Sequence, residues 1–222
     1  PRSRPRRGSA VPAPWRWSCG ARSDLDLADP GAPEELYART EGGGVLIDVL
    51  VNNAGFGYLG SFAQGDPSMQ LEMVRLNVLT LTHLTRAFLP AMLERSRGWI
   101  LNVASTAAFQ PGPFMAVYYA TKAYVLSLSE AIAEELSGSG VTVTVLCPGP
   151  TATGFQARAN QEGARLLRAG TMDARRVAEQ GYRGMKKGKT IVISGTANRM
   201  GTLAVRLVPR SMVRKLVRWL NG

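Results

Sequence analysis

The order of apolar and polar positions divides the chain into alternating extended and helical stretches. Asp48-Val-Leu-Val51, Trp99 to Ala104 and Val141 to Leu146 are short, nearly continuous apolar runs, the pattern of parallel strands buried on both faces. Thr190 to Ser194 reads as a further strand. Ser68 to Arg95 repeats apolar residues at helical spacing, from Leu71 and Val74 through Leu81 and Leu84 to Phe88, with Pro90 near its end. Tyr118 to Leu136 has no Pro or Gly, and Gly138 and Gly140 stop it. Shorter helices are expected over Ala32 to Glu41 and Ala174 to Met185. The last segment sets Met212, Val213, Leu216, Val217 and Leu220 against Arg210, Arg214, Lys215 and Arg218, which predicts a basic amphipathic helix. Strands alternating with helices predict an α/β fold with a parallel sheet.

Length and composition narrow this picture. A chain of 222 residues with 45% hydrophobic content suits one domain with a proper core. Residues 23–222 are read as that domain. Pro1 to Arg22, rich in Arg, Pro, Ser and Trp, shows no period and is read as an irregular basic segment, a non-native or truncated lead. Net charge is +11, which raises nucleic acid as a partner. Its distribution argues against one: residues 1–22 carry +6, residues 23–157 carry −7, and residues 158–222 carry +12. Cys19 and Cys147 form no metal or redox spacing, no metal site is expected, and Cys147 and His83 are read as structural. This cysteine usage makes a reducing, cytoplasmic location the default, and since no apolar run approaches a membrane span the protein is expected to be soluble or peripheral.

The chemistry lies between Ser105 and Lys122. Tyr118 and Lys122, four apart, project from one face of a helix. An ammonium beside a phenol favours the phenolate, so Lys122 is expected to bring Tyr118 below its usual pKa of about 10. Ser105 ends a buried strand, at the carboxyl edge where open α/β sheets place their ligands. Such a pair is more often an ordinary surface pair when it stands alone. Yet Lys122 is the only lysine in the first 185 residues of a chain that otherwise uses Arg for positive charge.

These residues, with Asn52-Asn53-Ala54-Gly55, with Asn77 in Arg-Leu-Asn-Val and with Pro148-Gly149, resemble the short-chain dehydrogenase/reductase family from about Asp24 onward. The resemblance implies a Rossmann-like, doubly wound parallel sheet, N-terminally truncated, because the family's Gly-rich first turn has no counterpart in Pro1 to Arg22. It implies hydride transfer between NAD or NADP and a small carbonyl or alcohol substrate. Asn77, Ser105, Tyr118 and Lys122 would be catalytic. Asp26 and Leu27 would meet the adenine, Asn53, Ala54 and Gly55 the adenosine ribose side, and Pro148, Gly149 and Thr151 the nicotinamide, with Tyr118 and Lys122 also touching the cofactor. It further implies a homo-oligomer built through the helices carrying Asn77 and Tyr118.

Two rival functions and two decoy motifs stand beside this family. An inactive fragment lacking a pyrophosphate loop and a basic membrane- or partner-binding protein are the rival functions. The final helix is consistent with peripheral contact to an anionic membrane, packing on a partner subunit, or a solvated basic face. Gly55-Phe-Gly57-Tyr-Leu-Gly60 matches a dinucleotide fingerprint, but Gly65 and Pro67 follow, so it is assigned to a substrate-side loop. Gly188-Lys189-Thr190 precedes a strand and is no phosphate loop. Thr106 to Met115 is expected to flank the substrate, and Thr151 to Gly170, polar, to form a lid.

Overall fold

A computed structural model describes residues 23–159, 161, 165 and 170–222, so the segment Pro1 to Arg22, Cys19 with it, lies outside the described residues. Four parallel strands form the main sheet: β1 (Val49–Asn52), β2 (Gly98–Val103), β3 (Val141–Cys147) and β6 (Ile191–Ile193), in the order β1-β2-β3-β6. β4 (Thr151–Ala152) and β5 (Met172–Asp173) pair separately. Leu50 stands beside Ile100 and Ile100 beside Val143, so the apolar runs meet in register.

Helices cover both faces of this sheet, which makes it doubly wound. Because side chains alternate along a strand, Leu50, Ile100 and Val143 point one way and Leu101 and Leu146 the other. The first set packs on Leu84, Phe88 and Met92 of α3 (Leu81–Glu94), and α4 (Ala116–Glu135) covers the same face. The second set packs on Val177 and Met185 of α6 (Ala174–Lys186). At the outer edge β1 turns Val49 and Val51 toward that second side, where they stay 38% and 51% exposed.

Local chemistry fixes where the helices start. α1 (Ala32–Arg39) places Pro33 in its first turn. α2 (Pro67–Val74) begins at Pro67 behind Asp66, whose carboxylate accepts from the Ser68 amide at 2.9 Å. Asp173 caps α6 in the same way, accepting from the Arg176 amide at 2.8 Å. The short α5 spans Phe155–Arg158, and α7 (Thr196–Leu207) and α8 (Arg210–Asn221) close the chain.

Two expectations change. The helix expected over Ser68 to Arg95 is interrupted by a π-helical turn, Arg75–Thr80, that carries Asn77. Extra-residue turns of this kind are common at functional sites, and no periodicity of apolar residues marks one. The apolar stripe of the last helix also divides. Val213 and Val217 are buried in the core cluster that holds Tyr119, whereas Met212 and Leu216 face outward together with Trp219, so α8 packs on its own chain through only part of the expected stripe.

Candidate active site

β2 ends at Val103, and the chain turns through Ser105 into a 3-10 helix, Thr106–Phe109, which Ser105 caps by accepting from the Ala107 amide at 3.1 Å. That turn leaves the Ser105 hydroxyl at the carboxyl end of the sheet, where it donates to the Pro148 carbonyl at 3.4 Å. Tyr118 lies in the first turn of α4, and both Tyr118 and Lys122 point inward from it, 9% and 6% exposed. The surface-pair alternative is thereby excluded. Ser105, Tyr118 and Lys122 line a single cleft of about 970 Å³.

Burial governs the titration of both groups. Desolvation pushes the Tyr118 phenol up to about 12, and Tyr119 adds to this, against the Ser105 hydroxyl, whose hydrogen bond favours the ionised form. The expected lowering by Lys122 is absent. Lys122 is itself pushed down to about 8 by burial, the Cys147 thiol pulling the other way, and its ammonium donates to the Val103 carbonyl at 2.8 Å while lying 5.9 Å from the Tyr118 ring centre. Cys147 fills the core beneath, its thiol pushed up to about 12 by burial.

Asn77 is fully engaged. Its amide donates to the Phe56 carbonyl at 2.9 Å and to the Thr121 hydroxyl at 3.1 Å, and its oxygen accepts from the Phe56 amide at 3.1 Å. It therefore ties the loop after β1 to α4, one residue before Lys122. Gly55 makes this possible: a Cβ there would stand 2.7 Å from the Asn77 oxygen and 3.6 Å from the Lys122 nitrogen.

The two asparagines after β1 separate by strand alternation. Asn52 turns inward, donating to Asn102 at 2.9 Å and Thr85 at 3.1 Å, while Asn102 donates to Ser129 of α4 at 2.9 Å. Asn53 joins the cleft wall with Gly55, Pro148, Gly149 and Thr151. Ala54, exposed beside them, is not on that wall, and neither are Asp26 and Leu27. Asp26 caps its own turn by accepting from the Ala28 amide at 2.9 Å, and Leu27, partly buried, packs against the core cluster that contains Tyr118. Leu27 also accepts at its carbonyl from the Thr80 hydroxyl at 2.8 Å.

Several cleft residues carry no sequence signal. Phe155 lays its ring against Tyr118, 5.3 Å between centres. Ala159 and Gln161 are buried, and the Leu59 amide donates to the Ala159 carbonyl at 2.9 Å. The described part of the expected lid is thus packed against the Gly57 loop; residues 160, 162–164 and 166–169 lie outside the described residues. That loop precedes the helix at Pro67 without opening one, as expected of a substrate-side loop. His83 is half-buried and its ring stands 3.1 Å from the Glu34 carboxylate, in keeping with a structural role.

Residues 22–164 match the short chain dehydrogenase family. An oxidoreductase of Bacillus subtilis, YvrD, is 39% identical over 134 residues, 60% of this chain and 50% of that protein. The very-long-chain 3-oxoacyl-CoA reductase of Anas platyrhynchos is 35% identical over 140 residues, 60% of this chain and 45% of that protein. Among solved structures, a short-chain dehydrogenase from Sphingobium yanoikuyae in complex with NADPH superposes with a TM-score of 0.70 at 29% identity, over 82% of this chain and 71% of its own. The chain thus spans half or less of the length of these two relatives.

Proposed function

The chain belongs to the short-chain dehydrogenase family, and on that premise we propose that its cleft carries out hydride transfer between NAD(P) and a small carbonyl or alcohol substrate. One observation carries the reading: a hydroxyl, a phenol and an ammonium from different elements converge on one cleft. The residues present fit the nicotinamide half of such a cofactor. Gly55 and Gly149 leave the cleft wall without side chains beside the polar Thr151 and Lys122. Thr151 and Lys122 would hold this half of the molecule, and Asn53, on the same wall, its adenosine ribose side. When bound, the nicotinamide supplies or accepts the hydride.

Each side chain then has a task. Tyr118 donates its proton to the carbonyl oxygen during reduction, and Ser105 steadies the same oxygen by a hydrogen bond. The phenol, raised by burial, keeps its proton at neutral pH and so has one to donate. Lys122, charged below about 8, attracts the ribose hydroxyls. Asn77 is a positioning residue that fixes the Phe56 loop against Thr121. Exposed Leu71, Leu79 and Tyr124, on the segments carrying Asn77 and Tyr118, support pairing with a second copy through those helices.

The test is a fluorescence titration of the purified chain with NADPH and NADH, followed by oxidation of the bound cofactor on adding apolar ketones. Saturable binding with ketone-dependent oxidation is expected. A chain that binds neither nucleotide would end the proposal.

A further inference from the structure

We propose that α7 and α8 form a docking face for an anionic lipid bilayer, set against the lip of the cleft. The inference goes beyond the proposed reaction and does not depend on it.

The residues that α7 and α8 turn outward are the first ground. α8 buries Val213, Val217 and Asn221 and exposes Met212, Leu216 and Trp219, which recur at helical spacing and are 57–60% exposed. α7 buries Thr202 and exposes Met200, Leu203 and Leu207, the last 87% exposed at the junction between the helices. Val205 of α7 packs into the same core cluster as Val213 and Val217, so both helices rest on one part of the core. A helix that merely faced water would carry polar residues at the outward positions. Large apolar side chains there, rimmed by cations, are what a helix lying in the bilayer interface presents.

Charge selects the occupant. From Thr196 onward the chain has six Arg and Lys and no acid, and Arg199, Arg206, Arg210, Arg214, Lys215 and Arg218 are all exposed. A second copy docked through the same face would bring like charge against like, since neither helix carries a carboxylate to offset it. Nucleic acid would use the cations and leave Met212, Leu216 and Trp219 in water. An anionic bilayer uses both sets. Trp219, whose ring lies 5.1 Å from the Arg165 guanidinium, is the side-chain type favoured at the level of the headgroups.

The position of this face links it to the cleft. Arg214, Lys215 and Arg218 line a groove of about 440 Å³ with Pro113 and Phe114, of the loop that leads into α4. The Arg218 guanidinium stands 5.5 Å over the Phe114 ring, and Phe114 is held at φ +67°, a conformation uncommon for a bulky residue. Asn221 donates to the Pro113 carbonyl at 2.9 Å and accepts from the Tyr119 hydroxyl at 3.5 Å, next to Tyr118. Three basic side chains lining this groove put positive charge beside the loop, and a bilayer held there meets the loop flanking the cleft.

The test is flotation of the full chain with vesicles of phosphatidylcholine alone and of phosphatidylcholine mixed with phosphatidylglycerol. The chain is expected to float with the mixed vesicles only, less as salt rises. Arg214→Gln and Arg218→Gln should each weaken partition about five-fold, the effect of one basic residue near an anionic surface. Leu216→Ser combined with Trp219→Ser should abolish flotation while the circular dichroism spectrum stays unchanged, since both side chains are exposed. Failure to float with the mixed vesicles overturns the proposal. So does equal flotation of the Leu216 and Trp219 variant, which would make the face a polycation only. If that variant instead splits an oligomer on size exclusion, the face joins copies of the chain and the proposal is wrong. No arm reads turnover, so these results stand apart from the proposed reaction.

Discussion

A phenol ionises only where its anion is solvated or paired, and Tyr118 is walled in by Phe155, Tyr119 and the chain around Gly57. Its proton is therefore held for delivery. Tyr118→Phe should lower ketone reduction by about 10²- to 10⁴-fold with cofactor affinity retained, read as kcat/KM beside a nucleotide titration. The neighbouring Lys122 leaves a mark on stability. It titrates at about 8 when folded against 10.5 in the reference state, so between those values the unfolded chain binds the extra proton and stability rises with pH. That gain is complete above 10.5 and is lost as pH falls through 8. Tyr118 has the opposite sign, since its raised value costs stability between 10 and about 12. Cys147 has the same sign as Tyr118, its thiol raised from 9.0 to about 12, and offsets the gain above pH 9. The urea midpoint should therefore climb from pH 8 toward 9, and Lys122→Met should flatten the climb. Gly55→Ala drives a Cβ to 2.7 Å from the Asn77 oxygen and should cost about 1–3 kcal/mol in urea unfolding.

Elements differ in how much of their geometry is local. α4 brings Tyr118 and Lys122 to one side by its own periodicity, so their pairing was legible from spacing alone. The π-helical turn was not. It exists because the Asn77 side chain reaches two groups of Phe56 and one of Thr121, partners 21 and 44 residues away. α8 was legible as amphipathic, but which part of its stripe turns inward depends on Tyr119 and the cluster it joins. Val217 is buried there, and Val217→Ala should remove about 1.5 kcal/mol of burial, seen as a melting temperature lower by several degrees. A change at outward-facing Leu216 should leave the melting temperature unmoved.

At the scale of the whole molecule, the four-stranded sheet ends at β1 among the described residues, with Val49 and Val51 partly open to solvent. An apolar edge of this kind invites pairing between chains. Val49→Lys should reduce light scattering at high protein concentration without shifting the unfolding midpoint. The short-range patterns in the sequence determined the strands, the main helices and the triad of Ser105, Tyr118 and Lys122, because period, apolar runs and i,i+4 spacing are properties of neighbouring residues. Only the tertiary structure decided which groups those residues answer to. Phe155 against Tyr118, Asn53 on the cleft wall with Asn52 turned inward, Asp26 and Leu27 off that wall, and a phenol raised instead of lowered all follow from chain segments that meet across the fold. Burial and long-range contact set a side chain's solvation, and solvation is not written in its nearest neighbours.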